Sequence, residues 1–255
     1  MKNLVENLIK NYVRSYSLDN RLEIQWEEPL VSFADAKDSM FFELKKVIGE
    51  NHKLPEDFLQ NGKTVITYFI PFNKDIVLSN IKGRESSEFW AKAYVETNKL
   101  ILSLNEYIKE ELEGKGYDTI GVPLSINFDY DKLINDWSHR HAAYISGLGT
   151  FGVNNMLITN KGCCGRFGTI ITSLEVEKTE RKEKESCLYK YNGSCGGCVK
   201  RCVNEALKLD SFDRHKCFEM CLYNDKLYNR LGPADVCGKC MVGVPCSFTN
   251  PTKCL

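Results

Sequence analysis

No run in this sequence approaches the roughly 18 consecutive apolar residues of a membrane span, so no membrane partner is expected. The opening MKNLVENLIKNYVRSYS is amphipathic and carries both charge signs. It lacks the apolar core and small-residue cleavage site of a secretory signal. Charge of one sign is not in excess either: 34 Lys and Arg balance 34 Asp and Glu. The composition therefore carries no basic footprint for nucleic acid. There is no low-complexity segment and no repeat beyond paired groups of cysteines. These absences predict a cytoplasmic globular chain, and 255 residues allow one large domain or two smaller ones.

Cysteine is abundant instead. Nine of the twelve cysteines fall within residues 187–246, and eight of them form two spaced groups. In a reducing compartment they read as metal ligands or redox groups rather than disulfides. One group is Cys187, Cys195, Cys198 and Cys202; the other is Cys217, Cys237, Cys240 and Cys246. Cys195-x2-Cys198-x3-Cys202 has the tail spacing of bacterial ferredoxin runs, whose fourth cysteine ligates the other of two clusters. Eight thiolates suit two 4Fe-4S clusters. Zinc knuckles are the competing reading, because CGGC and CGKC are also zinc spacings. The position three before Cys195 is Asn192, not cysteine. Cys187 is therefore expected to complete the first set, with Cys221 and Cys254 as competitors.

Periodicity predicts a helix at the N-terminus, another over 38–50 and a long one over 88–116. Residues 19–34 read as strand-like around Leu22, Ile24 and Trp26. KTVITYFIPF, 63–72, predicts a buried central strand ended by Pro71. Further strands are expected at 119–128, at MLITN and at GTIITSLEVE. WSHRHAAYISGLG begins as a helix and ends in a glycine-rich turn. The charged run EKTERKEKE, 177–185, reads as a linker.

Within GLGTFGVNN, Gly147, Gly149 and Gly152 match the dinucleotide pattern G-x-G-x-x-G literally. A helix precedes the run and a strand follows it, which is the wrong context for that fingerprint. A plain tight turn also explains it. The longer stretch GLGTFGVNNMLITNKGCCGRFGTIITSLEVE, 147–177, resembles the epoxyqueuosine reductases and their relatives, the corrinoid-dependent reductive dehalogenases. The resemblance rests on Gly147, Leu148, Gly149, Gly152 and Asn154, then Gly162, Gly168, Thr172 and Leu174, followed by the double-cluster cysteine module. It implies an oxidoreductase in which an external donor such as ferredoxin or flavodoxin feeds two 4Fe-4S clusters. These pass electrons to a bound cobalamin that reduces a small-molecule substrate. It also implies that Gly147, Leu148, Gly149, Gly152, Asn154 and Arg166 bind the cofactor. The family's crossed ligand pattern gives one cluster to Cys195, Cys198 and Cys246 with Cys187. The other cluster goes to Cys202, Cys217, Cys237 and Cys240.

The chain departs from the family at informative places. Leu133 stands where those reductases carry an acidic proton donor, with Asp131 and Asp136 out of register. Val153 replaces a lysine and Val203 a proline. The family's C-terminal tRNA-binding extension is missing, which with zero net charge argues against tRNA. Another proton donor is then needed. His141 is the first candidate, because histidine can be protonated near neutrality; His139, Tyr144 and Asp136 follow. Arg140 is a candidate partner for a cofactor carboxylate or phosphate. Cys163 and Cys164 beside Arg166 are either a reactive pair or two small buried residues.

The expected fold class is α+β. A corrinoid-binding-type α/β domain on a mixed sheet covers 1–183, and a ferredoxin-like two-cluster module covers 184–255. The alternative function is a ferredoxin-like electron carrier, or a corrinoid-reducing partner, without substrate chemistry of its own.

Overall fold

The computed structural model describes residues 1–181 and 183–255. A four-stranded sheet lies at its centre: β1 (Leu30–Asp35), β2 (Thr64–Pro71), β3 (Thr119–Gly121) and β6 (Gly165–Thr172), in the order β1-β2-β6-β3. Every pairing is antiparallel, so the expected mixed sheet is corrected. Apolar patterning marks a buried strand but carries no sign of its direction.

β2 is buried along its whole length because both sheet faces are covered. Ile66, Tyr68 and Ile70 meet α1 (Lys2–Asp19) and the long α4 (Glu88–Glu113) through Val5, Ile9, Leu100, Leu104 and Ile108. Val65 faces α2 (Met40–Val47) and α5 (His139–Ile145), packing with Phe41, Leu44, Trp137 and Ile145. This two-sided burial is why the strand reads as a continuous apolar run. α4 starts at Ser87, whose side chain accepts the Trp90 N–H, and stops at Gly114. The expected strand over 119–128 ends at Gly121. Pro123 follows and cannot donate to a ladder.

After α5 the glycine-rich run forms a hairpin, β4 (Gly149–Phe151) against β5 (Leu157–Thr159). The cysteine-rich part adds short helices: α6 (Leu188–Asn192), α7 (Gly197–Lys200) and α8 (Arg214–Leu227). It packs on α3 (Lys74–Ser79), on α4 and on the hairpin. One apolar cluster joins Phe72, Ile76, Trp90 and Ile158 to Cys163, Cys164, Cys187, Met241 and Val242. The run at 177–185 includes residue 182, outside the described residues. On either side of it the chain is docked. Thr179 exchanges hydrogen bonds with the Phe33 backbone, Arg181 pairs with Asp38 at 2.5 Å, and the Glu185 carbonyl accepts from Thr252. Among the described residues no helix is long and apolar enough to cross a membrane.

Candidate functional site

The cysteines gather around two centres. Cys187, Cys195, Cys198 and Cys246 line one cleft. Its other walls are Val153, Ile158, Leu188, Val244 and Pro245, with Gly152 and Asn154 from the hairpin tip. The Cys198 thiol is pushed up to about 11 by burial, then by the neighbouring Cys246, Cys187 and Cys195 sulfurs. The second centre is read from the same kind of coupling. Cys240 is raised by burial first, then by Cys237, Cys217 and Cys202. Cys237 is raised to about 11 by burial. Each sulfur must therefore lose a proton to become a ligand. Cys198 of the first set also raises Cys240, so the two groups of thiols adjoin. Among the described residues no three His, Cys, Asp or Glu side chains converge closely enough for a single metal ion. The four cysteines of the first set line one cleft together.

Two further thiols adjoin these sets. Cys163 and Cys164 are buried, as the small-residue reading expects. The Cys163 N–H donates to the Cys246 carbonyl at 3.0 Å, and the two thiols are hydrogen-bonded. Cys221 lies one turn beyond Cys217 on α8. Its thiol hydrogen bond lowers Cys217 to about 7, and that same contact raises Cys221. Cys254 is exposed.

The hairpin glycines do not cradle a ligand. Gly147 has φ +85°, and a Cβ there would lie 2.6 Å from the Glu180 carbonyl oxygen. A Cβ on Gly149 would lie 2.7 Å from the Ile158 carbonyl carbon, across the hairpin. Leu148 is buried with Phe69, Ala143, Leu157 and Phe167. Gly152 donates its N–H to the Met156 carbonyl at 2.9 Å. Asn154 accepts from the Met156 N–H and donates Nδ2 to the Cys240 carbonyl at 3.3 Å. On the side a Cβ would occupy, Gly147 and Gly149 are packed against the chain's own backbone. Gly152 and Asn154 do reach a site, the wall of the first cysteine cleft.

A second feature lies where α5 and β6 approach the cysteine module. Arg140 Nη1 donates to the Asn155 carbonyl at 2.6 Å. Arg166 stacks on Tyr94, 4.2 Å from the ring centroid. Neither guanidinium has a carboxylate within ion-pair distance among the described residues. Arg140 is destabilised by burial, then by the Arg166 charge, and is supported by Cys217 and Cys240. Two cations held together without an acid suit an anionic group such as a phosphate. Arg140 also senses Cys217 and Cys240 of the second cysteine set.

The histidines behave otherwise than expected. His139 Nε2 faces the Pro123 carbonyl at 3.1 Å, so it carries the proton; Nδ1 then accepts from Thr169 Oγ1 at 2.8 Å. Burial holds His139 at about 4. His141 sits at about 4 through burial and then Arg140, with Nδ1 2.7 Å from Ser138 Oγ and its ring against Phe151. Both are neutral at pH 7, so protonation near neutrality does not hold for either. Asp136 points to the 123–138 loop, accepting from Asn127 Nδ2 at 2.9 Å. Leu133 has φ +53° on that loop, and the Lys132 carbonyl accepts from Arg214 of α8 at 3.3 Å. Sequence reasoning missed Lys239, fully buried between Cys237 and Cys240. The bare CGKC pattern gives a lysine no sign of burial.

No family model and no curated protein matches this chain. Solved structures do. An epoxyqueuosine reductase from Streptococcus thermophilus aligns at TM-score 0.51 and 16% identity, over 94% of this chain and 66% of that one. One from Bacillus subtilis, with its catalytic loop swung out of the active site, aligns at TM-score 0.55, 16% identity, over 95% and 66%. An epoxyqueuosine reductase with a modified tRNA-Tyr stem loop aligns at TM-score 0.56, again 16% identity, over 95% and 66%. The likeness is one of fold. The chain spans just under two thirds of the length of these structures.

Proposed function

We propose that this chain is an iron–sulfur oxidoreductase of the epoxyqueuosine reductase type, taking electrons through two 4Fe-4S clusters toward the Arg140–Arg166 pair. Cys187, Cys195, Cys198 and Cys246 hold the first cluster, and Cys202, Cys217, Cys237 and Cys240 the second. The observation that carries the reading is that Cys246 lines the same apolar cleft as Cys187, Cys195 and Cys198, although it belongs to the later cysteine group. An external one-electron donor supplies the first cluster. Arg140 senses Cys217 and Cys240 of the second set, so electrons leave toward that guanidinium pair.

Cobalamin is the group that the resemblance implies for this protein, and it would supply a metal centre able to cleave a polar bond. Arg140 and Arg166, with no carboxylate at ion-pair distance among the described residues, would suit its anionic tail. The chain's own residues bind and orient there: Arg140 and Arg166 present donors, while neutral His139 fixes the Thr169 and Pro123 walls. The substrate is a molecule with a reducible carbon–oxygen or related polar bond. The tRNA stem loop in one matched structure withdraws the dismissal of RNA, since the same guanidinium pair suits an RNA phosphate. Zero net charge does not preclude a local cationic site.

Anaerobic reconstitution of the full chain tests the proposal through iron, acid-labile sulfide and paramagnetic resonance. Two clusters per chain are expected, with C198S and C237S each removing a different one. Zinc without sulfide would refute it. The neutral histidines and Leu133 favour one second reading, an electron carrier without substrate chemistry. Absence of corrinoid affinity in a cluster-replete chain would select that reading.

A further inference from the structure

Lys239 is 1% exposed. Its ammonium donates to the Asn80 carbonyl at 2.9 Å and the Lys82 carbonyl at 2.7 Å. Among the described residues no carboxylate lies within ion-pair distance. A buried cation without a counter-charge is costly, and proteins seldom retain one without an anion nearby. The anion that acts on it most strongly is the Cys237 thiolate, ahead of the Glu85 carboxylate, while the Arg201 charge opposes it. Lys239 lies between Cys237 and Cys240, and its own N–H donates to the Cys237 sulfur, which also senses the ammonium. The first cleft has no such cation in its lining, which is almost wholly apolar.

We propose that Lys239 is a fixed counter-charge that raises the potential of the cluster at Cys237 and Cys240 above that of the cluster in the apolar cleft. The proposal rests on the two-cluster reading. A cubane with four thiolates carries roughly −2 when oxidised and −3 when reduced, and its potential follows net charge, hydrogen bonds to sulfur and exposure. An ammonium beside it stabilises the added electron. Apolar walls around the other cluster withhold that help. Electrons entering at the first cluster therefore run downhill to the second, beside Arg140. The ammonium is not needed to anchor the loop it touches: Arg201 Nη2 bonds the Ile81 carbonyl at 2.7 Å, and Asn80 Nδ2 bonds the Cys237 carbonyl at 2.9 Å.

The test is an anaerobic redox titration of the reconstituted full chain, followed by paramagnetic resonance, for wild type, K239Q, K239M and K239R. K239Q and K239M are expected to keep wild-type iron and sulfide while one potential moves more negative and the gap between clusters narrows. A tenfold change in that cluster's oxidised-to-reduced ratio at fixed poise corresponds to about 59 mV. K239R, which keeps the charge, is expected to retain the wild-type value. Iron-replete K239Q or K239M with both potentials unmoved overturns the proposal alone. So does a K239R shift as large as that of K239Q, because the lysine would then act only as an anchor. A wild-type chain that assembles no cluster overturns the two-cluster reading and this proposal with it.

Discussion

Replacing Gly149 by alanine tests whether the hairpin is a structural wall of the cysteine cleft or a ligand cradle. An alanine Cβ would sit 2.7 Å from the Ile158 carbonyl carbon, 3.1 Å from the Thr159 nitrogen, and closer still to the Ile158 oxygen. All three are backbone atoms, so no side chain can swing away. Relief requires the two strands to part. Overpacking of this kind costs about 1–3 kcal/mol. Alanine also restrains the unfolded chain and returns roughly 0.5–1 kcal/mol in a strand. The steric term wins, leaving a net loss of about 1–2 kcal/mol. For a chain of this size that is a fall in Tm of roughly 3–6 °C. Gly152, Val153, Asn154 and Ile158 line the first cleft, so the displaced hairpin should also lower iron retention there. Thermal unfolding of the cluster-free chain measures the first effect, and iron per chain after reconstitution the second. A Tm equal to or above wild type would refute the close-packing argument. Normal stability with lost cofactor affinity would return Gly149 to the role of ligand contact.

Four other outcomes follow from the same geometry. C187S should remove one cluster and spare the other, whereas C254S should leave iron unchanged, because Cys254 is exposed; metal analysis of both separates Cys187 from its competitor. R140M should weaken binding of inorganic phosphate or a corrinoid at least several-fold with cluster content intact, read by calorimetry. His139 and His141, held near pKa 4, refuse protons that the unfolded chain accepts below about 6.5, so stability should fall as pH drops from 6.5 toward 4. Urea midpoints at pH 7 and pH 5 should differ less in H139Q than in wild type, and equal differences would refute the neutral assignment. H141Q should leave any pH dependence of turnover between 6 and 8 unaltered.

Much of the fold was legible in sequence. The apolar run at 63–72 is β2, and the long helix over 88–116 is α4 ended at Gly114. Strand direction was not legible, since a strand buried on both faces shows no alternation to orient it. The cysteine spacing marked two groups, but the meeting of Cys246 with Cys187, Cys195 and Cys198 was not legible in it, because spacing is local and that contact is made by folding. Histidine protonation was not legible: it depends on the Pro123 carbonyl and Thr169, brought to His139 only by folding. The glycine run was overread. Its pattern is that of a ligand-binding turn, but the close approach it permits is to the chain's own backbone.

The hairpin tip also bears on how the cysteine segment is to be handled. Part of the first cleft's wall belongs to residues 152–158, and the Cys246 carbonyl is satisfied by the Cys163 N–H. A piece beginning at residue 184 would carry all eight ligand thiols yet leave one face of a cubane open to water and oxygen. Such a fragment should bleach faster in air than the whole chain. The cysteine segment is therefore not a portable wire that can be grafted onto another protein by its thiols alone. Its insulation is encoded upstream, in a stretch without a single cysteine.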